Sequence, residues 1–274
     1  MIGLIILDSI AIGNRKFYKN NFYTMGILNI TPDSFYDGGV FFDEKKAIFR
    51  AEEIIKQGAD IVDVGGESTR PGYKKIEINE ELERVIKIIS KIKKSYDVLV
   101  SIDTTKSQVA EEAFKNGADM LNDISCLKDK NLANIVAKYD KSICIQHNRE
   151  NLNYKNFLND VLNDLKKAIK TALKSGIRKN KIIIDPGIGF AKNLEQNFIV
   201  LKNLDKFKKL GYFILIGNSR KKFLRGAFNL DVDQRLPSTL AINSYCFFKK
   251  INFIRVHDVL EHSYVCDLLK KIIF

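Results

Sequence analysis

Long apolar runs are missing from this sequence: no stretch approaches the roughly 18 residues a membrane span needs, which argues against a bilayer-crossing helix. The apolar start, Met1 to Leu7, lacks a basic leading region and meets Asp8 too soon for a signal peptide, so a soluble, cytoplasmic protein with no membrane partner is expected. Cys126, Cys144, Cys246 and Cys266 form no CxxC pair and no metal-ligand spacing. A chain of 274 residues does not need disulfide staples either, so these read as buried thiols. No linker, low-complexity tract or composition shift divides the chain. One domain over residues 1–274 is therefore expected, a length normal for a single α/β barrel. The net charge is +12, yet what would turn it into a nucleic-acid face is also lacking. Lys91, Lys93 and Lys94, then Lys166, Lys167 and Lys170, then Lys206, Lys208 and Lys209 fall in separate helical stretches among acidic residues, without interleaved aromatics. They read as solvated helix faces, leaving the charge a smaller role in attracting an anionic substrate.

What is present begins with Thr24 to Gly39, TMGILNITPDSFYDGG. Met25 to Leu28 is a compact apolar run suited to a strand buried on both faces, and Asn29 ends it. Pro32 cannot sit inside a central sheet, and Asp33, Ser34 and Asp37-Gly38-Gly39 are turn chemistry, so loop is predicted up to Phe42. A connection that long in a compact domain tends to be a lid or a binding loop, and Phe35 in its middle suggests closure on a ligand.

Ahead of it, Ile10 to Phe17 carries a Gly13-Asn14 pair between short apolar runs, which predicts a β-hairpin. Behind it, strands and helices alternate. Strands are predicted at Ala59 to Val64, Val98 to Ile102, Asp119 to Leu121, Ser142 to Ile145, Lys181 to Ile184, Tyr212 to Ile216 and Asn252 to Val256. Helices are predicted at Asp43 to Gln57, Glu80 to Lys94, Lys106 to Lys115, Leu132 to Tyr139, Phe157 to Lys174, Leu194 to Leu210, Thr239 to Lys249 and Val259 to Ile272. With the strand from Met25 that makes eight β/α units, the number that closes a parallel sheet into a barrel. A doubly wound open sheet would instead show a Gly-rich turn after its first strand, where this chain has Asn29-Ile30-Thr31-Pro32.

Active sites of such barrels occupy the face where the strands end, and polar residues follow every predicted strand. They are Asn29; the Gly65 to Gly72 loop with Ser68, Thr69, Arg70 and Pro71; Asp103; Asn122-Asp123; Gln146-His147; Asp185-Pro186-Gly187; Ser219-Arg220-Lys221; and Arg255 with His257-Asp258. Any one could merely cap the next helix, but eight together point to a site. Asp103, Asn122, Asp185 and Lys221 offer carboxylates, an amide and an ammonium at nearly buried positions, where charge is costly without complementary hydrogen bonds. A carboxylate matches side-by-side N–H donors, so Asp185 suits the aminopyrimidinone edge of a flat heterocycle. Arg255, His257, Asn29 and the Ser68-Thr69-Arg70 loop suit a phosphate or diphosphate, and Asn29 is a reasonable oxygen ligand for Mg²⁺.

In order and spacing, MGILNITPDSFYDGG, IVDVGGESTRPG, SIDT, NDIS, DPGIGF, SRK and RVHD resemble the dihydropteroate synthase family, from about Ile12 to the C-terminus. The resemblance implies a (β/α)8 barrel of the TIM type, preceded by the hairpin. The implied reaction condenses 6-hydroxymethyl-7,8-dihydropterin diphosphate with 4-aminobenzoate to give 7,8-dihydropteroate and diphosphate, with Mg²⁺, in a homodimer. It places the pterin on Asp103, Asn122, Asp185, Phe190 and Lys221, and the diphosphate among Asn29, Thr69, Arg70, Arg255 and His257, with the metal on Asn29. The 4-aminobenzoate pocket, where sulfonamides compete, falls to Phe35, Thr69, Pro71 and Ser219. Asp103, Lys221, Arg255 and His257 carry the catalysis so implied. The chain departs from the family at Gln146-His147-Asn148, where Met-His-Met is frequent, at Ala191 and at Lys222. The first of these implies an altered wall of the pterin pocket. A pterin-binding methyltransferase barrel would share the pterin residues but needs neither the Asn29 and Phe35 loop nor the diphosphate set. A silent binding module would be expected to lose charged residues that this chain retains.

Overall fold

The structure is a computed structural model that describes residues 7–31, 44–68 and 75–273, together with the backbone of 36–37 and 41–42. Strands β1 (Ser9–Ile12) and β2 (Arg15–Tyr18) pair antiparallel around Gly13-Asn14, as the dipeptide predicts. Gly13 takes a φ of +54°, a left-handed turn conformation open to glycine at little cost. Eight further strands form one closed parallel barrel: β3 (Tyr23–Asn29), β6 (Ile61–Gly65), β7 (Leu99–Asp103), β8 (Met120–Asp123), β9 (Ser142–Gln146), β10 (Ile182–Asp185), β11 (Phe213–Ile216) and β12 (Phe253–Val256). They follow chain order around the barrel, and β12 closes on β3. Between them run α1 (Glu44–Lys56), α2 (Ile78–Ser95), α3 (Ser107–Lys115), α4 (Lys130–Lys138), α5 (Phe157–Lys174), α6 (Leu194–Lys202), α7 (Leu204–Lys208), α8 (Lys222–Phe228) and α9 (Leu236–Phe248), with α10 (Val259–Ile273) last. Among the described residues no helix is long and apolar enough to cross a membrane.

Three expectations differ. The segment predicted as loop up to Phe42 contains a short ladder, β4 (Tyr36–Asp37) against β5 (Phe41–Phe42), too brief to leave a periodic signature. The helix predicted over 194–210 is divided at Asn203, whose side-chain amide donates to the Ile199 carbonyl at 2.8 Å and competes with helical bonding there. The helix α8 was not predicted at all. It is short, follows three consecutive polar residues, and stops at Asn229 in a left-handed conformation (φ 52°).

Side chains on a strand alternate between faces, and the register sorts them here. Met25, Ile61, Leu99, Met120, Cys144, Ile183, Phe213, Leu215 and Phe253 make an apolar plug within the barrel, continued by Ile10, Ile12 and Phe17 of the hairpin. The hairpin is thus the floor, sealing the end where the strands begin. Ser142 Oγ donates to the Ala11 carbonyl at 2.6 Å and fixes it there. Outward-facing residues such as Val62, Val64, Val100, Ile102, Ile182 and Ile184 form the second core with the helices. Cys144, Cys246 and Cys266 are buried free thiols, while Cys126 is half-buried. Of the surface lysines, Lys91 pairs with Glu44 and Lys208 with Asp205, consistent with solvated helix faces.

Gly26 marks the tightest contact between barrel and helices. A Cβ there would stand 2.4 Å from Cγ2 of Ile54 on α1 and 3.0 Å from Cγ2 of Val259 on α10. Gly26→Ala should therefore cost about 1–3 kcal/mol through overpacking. Urea unfolding should show a lower midpoint at unchanged slope, and an unchanged midpoint would mean the helices can retreat freely.

Candidate active site

Because strand parity points every second residue inward, the last inward residue of each strand lines the open end of the barrel. Asn29, Gly65, Asp103 and Asn122 are consecutive register partners across β3, β6, β7 and β8. On the next two strands around the barrel, β9 and β10, Gln146 pairs with Asp185. Two glycines keep the space between them open. A Cβ on Gly65 would lie 3.5 Å from Asp103 Cβ and 3.7 Å from Asn29 Oδ1, and one on Gly217 would lie 3.8 Å from both Asp185 Oδ2 and Arg255 Cβ.

The charges of this end are bound to one another. Arg255 Nε donates to Asp63 Oδ2 at 2.6 Å, and its Nη2 donates to Asp103 Oδ2 at 2.6 Å. Asp63 Oδ2 also accepts Asn122 Nδ2 at 3.1 Å. The two groups that the sequence separated, one for a heterocycle and one for an anion, are therefore joined through Arg255. Asp63 was missed by sequence reasoning, which looked only at strand ends; the available signal was an acid in the middle of an otherwise apolar strand, IVDVG. It is wholly buried, and such a charge needs a partner. Asp63 Oδ1, Asp103 Oδ1, Asn122 Oδ1, Ser101 Oγ and Gln146 Nε2 are buried without a hydrogen-bond partner. All five belong to inward positions of neighbouring strands, and Asp103 Oδ1 and Asn122 Oδ1 are acceptors in the topmost row.

Asp185 Oδ1 accepts the backbone N–H of Gly187 at 2.7 Å. Lys221 donates to the Ile188 carbonyl, and its Nζ stands 4.2 Å from the Phe190 ring centre. Phe190 and Lys221 are thus set side by side above Asp185. Burial moves the ionisable groups out of their ordinary ranges. It raises Asp103 to about 7 although Arg255 opposes the shift, and it raises Asp185 to about 6 against the pull of Lys221. It lowers Lys221 to about 7, again against Asp185. A flat molecule carrying adjacent donors would satisfy this set and remove its cost.

At the ends of β11 and β12, Ser219 Oγ lies 3.0 Å from His257 Nδ1 and accepts the His257 backbone N–H at 3.2 Å. Arg220 turns away and grips Asp258 through two bonds of 2.9 and 2.6 Å. Beside β9, the departure at 146–148 puts Gln146 into the barrel and fastens Asn148 Nδ2 to the Ile124 carbonyl at 3.1 Å. Phe35, Thr69, Arg70 and Pro71 lie outside the described residues. The remaining candidates, Asn29, Asp103, Asn122, Asp185, Phe190, Ser219, Lys221, Arg255 and His257, all sit on or just beyond the carboxyl ends of the barrel strands.

For a metal, the donor set is thin. Among the described residues no group of three or more His, Cys, Asp or Glu side chains could hold one. The Asn29 amide oxygen beside the open face of Gly65 is a single neutral ligand. That fits Mg²⁺ carried in with substrate phosphates and water, and does not fit a resident ion caged by protein.

A closed eight-stranded barrel whose carboxyl rim gathers buried acids, an amide and a lysine beside an aromatic ring defines a heterocycle-binding enzyme site. The model of the pterin binding enzyme family matches residues 25–257, and this chain belongs to that family, among the dihydropteroate synthases. A dihydropteroate synthase of Clostridium beijerinckii is 48% identical over 255 residues, covering 92% of this chain and 95% of the relative. The solved dihydropteroate synthase from Clostridium difficile, in the presence of pteroic acid, is 43% identical with a TM-score of 0.90, covering 93% of this chain and 98% of its own. That of Xanthomonas albilineans with 4-aminobenzoic acid is 30% identical with a TM-score of 0.92, covering 97% and 98%.

The shifted groups dictate how the ligand-free protein responds to pH. A carboxyl whose pKa is raised by folding binds more protons in the native state, so the contribution of Asp103 and Asp185 is lost as pH rises from about 4 to about 7. A lysine whose pKa is lowered does the opposite: the Lys221 contribution is regained as pH climbs above about 7. Their sum is a dip near neutrality on the order of a few kcal/mol, at about 1.4 kcal/mol per pKa unit. Thermal unfolding from pH 4 to 9 should show it, and Asp185→Asn should flatten the acid side. An identical profile in that variant would mean Asp185 is not the group titrating.

Proposed function

We propose that this protein condenses 6-hydroxymethyl-7,8-dihydropterin diphosphate with 4-aminobenzoate, releasing 7,8-dihydropteroate and diphosphate. The observation that carries the reading is the inward set of acceptors, Asp103 and Asn122 with unpartnered oxygens and Asp185 two strands beyond Asn122, with the Lys221 and Phe190 pair. These buried groups need hydrogen-bond partners, and a flat heterocycle with edge donors supplies them. Asp185 accepts the paired N–H donors of the pterin, Asn122 and Asp103 accept further edge donors, and Lys221 donates while Phe190 covers the ring. Asp63 holds the Asn122 amide so that its oxygen, not its nitrogen, faces the ligand.

The C–O bond to the exocyclic methylene then breaks, its electron pair leaving with the diphosphate. The Asp103 carboxylate stabilises the cation left on the pterin. Arg255 and His257, with Thr69 and Arg70, hold the leaving diphosphate. Asn29 holds Mg²⁺, which when bound offsets the phosphate charge. The lone pair of 4-aminobenzoate, seated by Phe35, Thr69, Pro71 and Ser219, forms the new C–N bond, and its proton passes to solvent or diphosphate. The arylamine is neutral at pH 7, so no strong base is required.

The protein works as a small-molecule enzyme of the cytoplasm, without nucleic-acid or membrane partners, and as a homodimer. Phe248 of α9 and Tyr264, Leu268 and Ile272 of the adjacent α10 are 60%, 67%, 59% and 68% exposed, an apolar surface that a second copy would cover. Sedimentation should give twice the 31.3 kDa chain mass, and Leu268→Glu should shift it towards monomer; a wild-type monomer at micromolar concentration ends the dimer assignment. For the reaction itself, diphosphate release should require both substrates together. Asp185→Asn should fold normally and lose pterin binding by at least a hundredfold in calorimetry, because the paired acceptor is gone. Release with either substrate alone, or unchanged pterin affinity in the variant, would refute the assignment.

A further inference from the structure

The loop between β10 and α6 has an unusual backbone. Gly187, Gly189 and Ala191 take positive φ values of 74°, 79° and 50°, so alternate residues are left-handed. A chain so folded turns successive carbonyls away from regular partners, and here side chains take them up. Lys192 Nζ donates to the Gly187 and Phe190 carbonyls, each at 2.9 Å, Lys221 donates to Ile188, and Tyr154 Oη donates to Ala191 at 2.7 Å. The N–H groups are held as well. Gly187 bonds Asp185, Phe190 bonds the Gly187 carbonyl at 3.1 Å, and Gly189 bonds Asn197 Oδ1 at 2.6 Å.

Lys192 is the centre of this arrangement. Its third partner is His147 Nδ1 at 2.9 Å. As an ammonium Lys192 donates there, so His147 is then an acceptor on Nδ1 and carries its proton on Nε2, which faces Asp164 Oδ2 at 3.4 Å. Asp164 in turn pairs with Arg149 at 2.9 Å. His147 is fully buried and stays neutral, since burial and the neighbouring Lys192 push its pKa down to about 2. The ammonium thus has three acceptors for three protons, two of them on the loop that carries Phe190. The fit is close: a Cβ on Gly187 would come within 2.0 Å of the His147 carbonyl oxygen.

We propose that Lys192 is a positioning residue for the pterin half of the site: by tying the Gly187 and Phe190 carbonyls to His147, it holds the loop in the shape that sets Phe190 against Lys221 and leaves Ile188 able to receive Lys221. It need not touch the substrate. This rests on the reading above and adds a residue to it that no strand-end rule identifies. Substrate discrimination follows from the placement: the loop shapes the pterin side, whereas Arg255 and His257 lie on β12 and just beyond it.

The test compares two probes on the full chain. In Lys192→Met, calorimetric affinity for pteroic acid should fall at least tenfold while affinity for inorganic diphosphate with Mg²⁺ stays within twofold. In steady state the KM for the pterin diphosphate should rise tenfold with kcat changed less than threefold. A variant that only destabilised the fold would lose both ligands alike. If Lys192→Met does not fold, Tyr154→Phe, which removes one donor to the same loop without changing the packing volume much, should weaken pteroic acid about threefold and leave diphosphate unaltered. Pteroic acid bound by the folded variant as tightly as by wild type, or equal losses for both probes, would overturn the role of Lys192 while leaving the synthase reading intact. Wild type that binds pteroic acid but releases no diphosphate would sink the synthase reading alone, and wild type that binds no pteroic acid would sink both.

Discussion

One arginine between two buried acids sets the terms for the rest of this barrel. Arg255 on β12 reaches past β3 to Asp63 on β6 and Asp103 on β7, and only a long side chain with several donors in a fixed fork could bond both. Each carboxylate out of water costs several kcal/mol unless compensated, so the three groups stand or fall together. Breaking such a set by removing one member costs about 3–5 kcal/mol. That cost is imposed for placement: the charges meet only if the sheet closes in the observed register, and once closed they present unpartnered oxygens towards the open end.

The opposite end of the barrel supplies the stability that makes this tolerable. The hairpin floor and the apolar plug above it exclude water from the lower barrel, and the helices bury the outward faces of the strands in a second core. Polarity therefore rises along one axis, from Phe17 and Phe253 through Asp63 and Ser101 to Asp103, Asn122 and Asp185. Charge placed at the top of a dry cylinder is poorly screened, which is why burial dominates the shifts of Asp103, Asp185 and Lys221. A ligand that hydrogen-bonds there supplies partners to these buried groups, and specificity arises from the same unfavourable burial.

Much of this was legible from residues alone where the physics is local. Alternating apolar runs and glycine-stopped amphipathic stretches marked eight β/α units, Gly13-Asn14 marked the hairpin, and the rule that barrel sites lie beyond strand ends marked Asn29, Asp103, Asn122, Asp185, Lys221 and Arg255. Differences arose where a single side chain, a short element or a distant partner decided. Asn203 interrupts a helix through its own side chain, α8 is too short for its period to register, and Asp63 looks like an anomaly in a strand until Arg255 is placed beside it.

By itself, then, the sequence determined the element types, their number and the list of polar residues at one rim, because periodicity, turn chemistry and strand parity act over a few residues. Tertiary structure alone decided which of those residues are partners: that Arg255 is committed to Asp63 and Asp103, that Ser219 meets His257, and that Lys192 ties His147 to the Phe190 loop. These pairs are separated by 38 to 192 positions in the chain, apart from Lys192 and Phe190. Closing the barrel in one register is what converts distance along the chain into hydrogen-bond contact, and burial then gives those contacts their strength.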